Sequence, residues 1–520
     1  MKYEHLKKIR VVISLIVITL VTLSFVDFSG YSAENISGKV LFLQFIPSFL
    51  QFLTIGGIIS SGFIIVIIFT LLIGRVYCSS VCPLGILQDV FTWFATRTKK
   101  KKRRYKSEKP HNKLRYSILI ISVILFFTGS ILGLSLLDPY SNYGRIAANI
   151  FYPIVIFTNN VVSYIFELFG NYSVYPLELR KVKIAVSLFS LTVLGIVFYM
   201  SFKYGRLFCN TVCPVGSFLG FLSKFSLFKI QIDEENCRSC GACEKVCKAN
   251  CIDSETKEVD FSRCVSCFNC FQVCPTDGLK YTYKFSFHRK KGNETDNSKR
   301  EFFKNSTLFF VALTSISKAS EKIKVYVENK IKPDRHFPIA PPGAGSIEQF
   351  NDRCTACHLC VSACPTQVLQ PSFLEYGLSG MLQPRMNNKK GFCNFECNVC
   401  SEVCPNGAIM PITLEKKKVT QIGIAKFIHD NCVVVTEGTD CGACSEHCPT
   451  KAVKMVPEGK LRIPKVTGNI CIGCGACEYA CPTIPNKAIY VDGNPVHKKA
   501  LLPKSDSEEQ KVNIKEDFPF

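Results

Sequence analysis

The chain has 520 residues, 29 of them cysteine, and a formal net charge of +22. That length exceeds one compact core, so several domains are expected, and a mean hydropathy of +0.17 is high for a chain wholly in water. A recurring C-x2-C-x2-C-x3-C-P spacing excludes a small disulfide scaffold, and the basic excess beside apolar runs argues for a membrane surface and against nucleic acid.

The apolar residues crowd into the first 205 positions. Four runs are long enough to span a bilayer: Val11 to Phe28, Phe49 to Ile73, Leu114 to Leu137 and Ile184 to Phe202. A further stretch, Ile150 to Gly170, is interrupted by Asn159, Asn160 and Glu167 and reads as a fifth span or an interfacial segment. Lys7, Lys8 and Arg10 put the amino terminus on the cytoplasmic side. The run Lys99, Lys100, Lys101, Lys102, Arg103, Arg104 falls there again after two spans, and a second basic patch covers His288–Lys291.

An internal repeat organises this region. Gly74-Arg75-Val76-Tyr77-Cys78-Ser79-Ser80-Val81-Cys82-Pro83-Leu84-Gly85 matches Gly205-Arg206-Leu207-Phe208-Cys209-Asn210-Thr211-Val212-Cys213-Pro214-Val215-Gly216. Each copy follows a span, so residues 1–228 read as two tandem transmembrane hairpins related by an axis along the membrane normal. If Ile150–Gly170 crossed, the two copies would face opposite compartments. At such an axis Cys78, Cys82, Cys209 and Cys213 would meet. They suit a further iron–sulfur or other soft-metal centre, a redox-active thiol pair per motif, or simply small residues in Pro-bounded turns. Arg75 and Arg206 read either as quinone- or cluster-tuning groups or as interfacial anchors.

Residues 229–287 carry two cluster motifs. The fourth cysteine of each such motif ligates the other cluster, which fits [4Fe–4S] chemistry and leaves little room for zinc. One cluster is expected on Cys237, Cys240, Cys243 and Cys274, the other on Cys264, Cys267, Cys270 and Cys247. Cys247 precedes Lys248 where proline is usual, and Cys251 reads as a non-ligand or substitute ligand.

Residues 288–340 read as a linker. It contains Lys299-Arg300 and the apolar run Leu308–Ile316, a twin-arginine-like export signal or short fifth membrane segment. Residues 341–497 hold four more motifs, two with first gaps stretched to three and eight residues. Swapped fourth ligands give the sets Cys354, Cys357, Cys360, Cys404; Cys393, Cys397, Cys400, Cys364; Cys432, Cys441, Cys444, Cys481; and Cys471, Cys474, Cys477, Cys448. The tail 498–520 is charged and expected to be disordered. The fold expected is a membrane α-helical domain joined to α+β bacterial ferredoxin-like modules, with about six [4Fe–4S] clusters.

On these residues, positions 1–285 resemble the NapH/MauN family of membrane ferredoxin-type proteins. Positions 298–497 resemble the NapG/MauM family, through the export-like segment, Pro341-Pro342-Gly343-Ala344 and the two stretched spacings. The resemblance implies a fusion in the inner membrane of a bacterium, with the first ferredoxin module cytoplasmic and the second periplasmic. It implies electron transfer from membrane quinol to a periplasmic reductase or cytochrome, as the quinol dehydrogenase component of a chain. The lysine in place of the first arginine departs from the export pattern. No acid–base or nucleophile constellation appears, so no catalytic residue is expected. Two other readings stand beside this one: an accessory redox factor that reduces a metal centre during maturation of a partner, and an all-cytoplasmic ferredoxin array.

Overall fold

The computed structural model describes residues 4–27, 38, 41–56, 61–97, 111–179, 184–283 and 330–501. The basic runs at 99–104 and 288–291, the export-like Lys299-Arg300, the run Leu308–Ile316 and the tail beyond 501 lie outside the described residues.

The first part is helical: α1 (Glu4–Val26), α2 (Phe45–Ile55), α3 (Gly62–Ile73), α4 (Val76–Ser80), α5 (Pro83–Arg97), α6 (Asn112–Phe127), α7 (Leu132–Leu137), α8 (Pro139–Ile146), α9 (Tyr152–Leu168), α10 (Ile184–Tyr204), α11 (Leu207–Thr211) and α12 (Pro214–Ser223). Among the described residues, three helical segments are long and apolar enough to cross a bilayer: His5–Val26, Pro139–Leu168 and Ile184–Tyr204.

This differs from the four expected runs in two ways. Phe49–Ile73 divides into α2 and α3, because Gly56 takes a φ of +68° and ends α2 there. Leu114–Leu137 divides likewise at Gly129, with φ +81°. Conversely, Ile150–Gly170 lies, up to Leu168, in a helical segment of 30 residues, Pro139–Leu168, in which a π turn at Ala147–Phe151 joins α8 to α9. Asn159 and Asn160, which interrupt its apolar pattern, donate to the carbonyls of Tyr175 (3.1 Å) and Leu177 (2.9 Å). They tie the following segment to the helix.

Helix α1 is the spine. At 1.5 Å per residue it is roughly 35 Å long, enough for a bilayer core. Near its start Lys7 bonds Gln272 of the first ferredoxin module, and Arg10 donates to the Ser79 carbonyl at 3.2 Å. Near its end the Phe25 ring packs 5.9 Å from Tyr140 of α8. The half-length α2 and α3 are held by the Phe63 ring, which lies 5.4–6.3 Å from Phe45, Phe49 and Phe52.

The first ferredoxin module is framed by an antiparallel pair, β1 (Phe228–Ile232) and β2 (Leu279–Tyr283). The second is framed by β3 (Thr420–Phe427) and β4 (Ile489–Lys499), with an irregularity between Gly493 and Lys498. The two modules meet α1 at opposite ends.

Candidate iron–sulfur centres

The cluster loops share one backbone pattern. In each motif with the regular two-residue gaps, the residues just before and just after the second cysteine have positive φ. The pairs are Ser239 and Gly241, Ser266 and Phe268, Ala356 and His358, Gly473 and Gly475. Serine, phenylalanine, alanine and histidine hold this conformation only when the surroundings enforce it. Alternating handedness turns successive N–H groups toward one concavity, which suits the anionic sulfide of an iron–sulfur cluster.

The fourth cysteines share a second pattern. Three residues after Cys274, Cys364, Cys404 and Cys448 come Asp277, Gln367, Gly407 and Lys451, all with positive φ. Asn250 holds the same place after Cys247. Cys247 therefore has the local backbone of a fourth ligand although Lys248 replaces proline. Threonine hydroxyls lie against the neighbouring fourth-cysteine sulfurs: Thr276 at 3.9 Å from Cys274, Thr366 at 3.7 Å from Cys364, Thr450 at 3.7 Å from Cys448 and Thr483 at 3.5 Å from Cys481. After Cys247 that position is Ala249, and the Cys251 sulfur stands 3.4 Å from Cys247 Sγ in its stead.

The structure brings the cysteines together in swapped sets. Cys360 is pushed up by burial and then by Cys357, Cys354 and Cys404. Cys400 is raised by burial and by Cys393, Cys364 and Cys397. Burial and then Cys441, Cys481 and Cys432 push Cys444 up to about 12. Cys477 is raised by burial, Cys474, Cys471 and Cys448. In the first module Cys270 is raised by burial, Cys267, Cys264 and Cys247, while Cys243 is pushed to about 11 by burial, with Cys274 and Cys237 adding to it. Cys240 sits exposed on the same loop. Four crowded thiols that resist ionisation together become stable as thiolates around a cationic metal centre, and with their motif spacing the donor sets fit [4Fe–4S] clusters. Among the described residues no three His, Cys, Asp or Glu side chains converge as around a single metal ion. A cubane spreads its ligands over four separate irons.

The two repeats form one pseudosymmetric site. Gly74 and Gly205 end their helices at φ +83° and +76°, and each touches the first ferredoxin module. A Cβ on Gly74 would meet the Phe261 ring at 2.7 Å, and one on Gly205 the Lys248 carbonyl at 2.4 Å. Cys78 and Cys209 are each the third residue of a five-residue helix. Pro83 and Pro214 then open α5 and α12. Gly85 and Gly216 let those helices close onto the carbonyls of Cys78 and Cys209, where a Cβ would lie 2.3 and 2.2 Å away. Cys78, Cys82, Cys209 and Cys213 are all buried and within electrostatic reach of one another.

Both repeat arginines are fully buried, which is not the setting of interfacial anchors. Arg206 donates to the Cys78 carbonyl at 2.7 Å and lies 3.9 Å from Cys209 Sγ. Arg75 donates to Asn210 Oδ1 at 3.0 Å and to the Ser262 carbonyl at 2.8 Å. Three cations, Arg10, Arg206 and Lys248, surround Asp89 at 2.8–3.1 Å. The counterpart of Asp89 in the second repeat is Gly220, and Arg115 fills that space instead, donating to the Ser262 carbonyl at 2.9 Å. Nε and Nη2 of Arg75 and Nε of Arg115 are buried with no hydrogen-bond partner. This excess of buried positive charge fits a dianionic cluster on the four cysteines. Sequence reasoning read Arg10 only as a topology signal and missed Asp89 and Arg115. For Arg10 and Arg115 the signal was the pairing of Lys8-Ile9-Arg10 with Lys113-Leu114-Arg115 ahead of the two repeats.

At the other end of α1, the set containing Cys357 lies on α8. A Cβ on Gly144 would meet the Cys357 carbonyl at 2.4 Å. Asp138, buried, accepts from Ser141 N (2.8 Å) and Oγ (2.7 Å). Ser141 Oγ also bonds Thr355 Oγ1 at 2.8 Å, and Ser135 Oγ donates to the Thr355 carbonyl at 3.1 Å. Asn149 Nδ2 lies 3.2 Å from His358 Nδ1.

Comparisons with known proteins find related sequences. Residues 55–103 and 186–233, which contain the two repeats, match a family model described as a 4Fe-4S binding domain. Residues 392–452 and 437–484 match one described as a 4Fe-4S dicluster domain, and 353–409 another of the same description. Protein MJ0749 of Methanocaldococcus jannaschii is 26% identical over 223 residues, covering 42% of this chain and 69% of its own length. The methylamine utilization ferredoxin-type protein MauN of Methylobacillus flagellatus is 25% identical over 194 residues, 37% of this chain and 53% of its own. MauM of Methylophilus methylotrophus is 32% identical over 98 residues, 18% of this chain and 42% of its own. The chain thus spans about half the length of these Mau relatives. No solved structure matches it. In one polypeptide, the chain thus carries several 4Fe-4S ferredoxin domains and is similar to ferredoxin-type proteins named MauN and MauM.

Proposed function

We propose that this protein takes electrons from membrane quinol and passes them to a reductase or cytochrome on the periplasmic side of a bacterial inner membrane. The cysteine sets described above are the proposed ligands of six [4Fe–4S] clusters, with Cys78, Cys82, Cys209 and Cys213 holding a seventh. Bound clusters supply one-electron carriers; the chain supplies their ligands, spacing and dielectric shell. The attachment of the two modules to opposite ends of α1 supports an inner first module and an outer four-cluster arm.

One observation carries the quinol reading. Oxidising a quinol releases protons as well as electrons, so a proton acceptor must stand beside the first electron acceptor. Asp138 is a buried carboxylate where the apolar helices meet the arm, within electrostatic reach of Cys357. Ser141 and Thr355 link it by hydrogen bonds to the loop that carries Cys354 and Cys357. The test is anaerobic mixing of the purified full-length protein with menadiol in nanodiscs, following cluster bleaching. Rapid bleaching is expected, and Asp138→Asn should slow it at least tenfold with iron content unchanged. Absence of any cluster reduction by menadiol sinks the reading.

A further inference from the structure

The four C-x3-C-P cysteines lie between the two ferredoxin modules, in turns that pack against the first of them. On the first-module side, Lys248 follows the fourth ligand Cys247, acts electrostatically on Cys267 and pairs with Asp89 at 3.1 Å. Its carbonyl accepts the Arg206 backbone N–H at 2.7 Å. Arg206 in turn touches the turns of Cys78 and Cys209. On the arm side, Tyr77, next to Cys78 in the chain, is buried within reach of both Cys82 and Asp138. Tyr140 is buried within reach of Asp138, Cys357 and Cys404.

Helix α1 measures the separation. Arg10 bonds the Ser79 carbonyl beside Cys78, and Phe25 packs on Tyr140 and Gly144 beside Cys357. Those fifteen residues rise about 22 Å. Beyond Cys357 the arm continues as a chain of sets. Cys360 is within reach of Cys400, the Cys393 N–H bonds the Cys474 carbonyl at 2.9 Å, and Cys477 is within reach of Cys444. The spatial order is therefore that of Cys360, Cys400, Cys477 and Cys444, which is not the order of the motifs in the chain.

We propose that the C-x3-C-P centre is the relay of an electron path running the length of α1, so that the protein also conducts electrons between the two faces of the membrane. A low-potential one-electron donor at the first module would feed the same arm that quinol feeds. This rests on the cluster assignments above and not on quinol oxidation. The buried Tyr77 and Tyr140 stand between the relay and the set of Cys357, and Arg75 and Arg206 compensate the charge of the relay.

The test uses the full-length holoprotein in sealed liposomes with ferricyanide inside and dithionite outside, with potassium and valinomycin to balance charge. Each electron lost by dithionite, oxidised to sulfite, reduces one ferricyanide across the bilayer. Ferricyanide reduction at least tenfold faster than in protein-free vesicles is expected. Cys78→Ser/Cys213→Ser should return it to the protein-free rate while the other six clusters remain in the EPR spectrum. A fully loaded wild type no faster than empty vesicles overturns the proposal without recourse to any variant. So does a variant that lacks the relay centre and conducts equally. Menadiol mixed with the protein in nanodiscs, without dithionite or ferricyanide, separates the two readings: arm reduction there, beside wild-type vesicles no faster than empty ones, defeats the conduit and leaves quinol oxidation standing.

Discussion

Arg206, in the second copy of the membrane repeat, donates from Nη1 to the backbone carbonyl of Cys78 in the first copy at 2.7 Å. Arg75, its counterpart, reaches across to Asn210 of the second copy at 3.0 Å. Each repeat closes around the cysteine turn of the other, so neither copy completes the site alone. This exchange holds the two C-x3-C-P turns against each other.

The Arg206 side depends on one carboxylate. Asp89 offsets Arg10, Arg206 and Lys248, all at 3.1 Å or less. Asp89→Asn leaves three cations together with little solvent, a loss of about 3–5 kcal/mol. Thermal unfolding in detergent should show a melting temperature lower by several degrees. An unchanged melting temperature would mean that solvent, not Asp89, neutralises these groups.

Gly85→Ala and Gly216→Ala should act alike, because each new Cβ would fall 2.2–2.3 Å from the carbonyl of the first cysteine in its own repeat. Backbone cannot yield as a side chain can, so each substitution costs about 1–3 kcal/mol or more. The expected outcome is selective loss of the C-x3-C-P centre, read as about four fewer irons per chain with the ferredoxin signals intact.

Cys251 should tune the cluster of Cys264, Cys267, Cys270 and Cys247. Its sulfur is 3.4 Å from Cys247 Sγ, in place of the threonine hydroxyl found beside other fourth cysteines. Hydrogen bonds to ligand sulfur stabilise the reduced, more negative cluster. Cys251→Ala should lower the potential of that cluster alone in an EPR-monitored titration, and Cys251→Ser should restore it in part. Loss of the cluster in Cys251→Ala would instead make Cys251 a ligand.

The arm should weaken in mild acid through His497. Burial lowers this imidazole from 6.5 to about 4, and neither ring nitrogen has a hydrogen-bond partner. The unfolded chain therefore binds a proton between those two values that the folded arm refuses. Stability is fully present above pH 6.5 and falls toward pH 4, by at most about 1.4 kcal/mol per pH unit. His497→Gln should flatten that part of the pH profile of arm unfolding.

The cysteine spacing made the cluster modules legible in the sequence, because ligand geometry writes itself into local gaps. The repeat was legible for the same reason. The helix ends were less so. Gly56 and Gly129 break runs that are apolar throughout, and hydropathy carries no record of a positive φ. The pairing of Asp89 with Arg10 and Lys248 joins positions 79 and 159 residues apart, and the docking of Thr355 on Ser141 joins positions 214 apart. Only tertiary packing brings such groups together. The positive φ of Phe268 and His358 was hidden too, since neither residue favours it.

Iron and acid-labile sulfide counts on anaerobically purified full-length protein, paired with Mössbauer spectroscopy, test the central claim most directly. Seven [4Fe–4S] clusters predict about 28 irons and as many sulfides per chain, falling to about 24 in Cys78→Ser/Cys213→Ser. About 24 irons in both proteins, or zinc in place of iron at the C-x3-C-P site, would contradict the account.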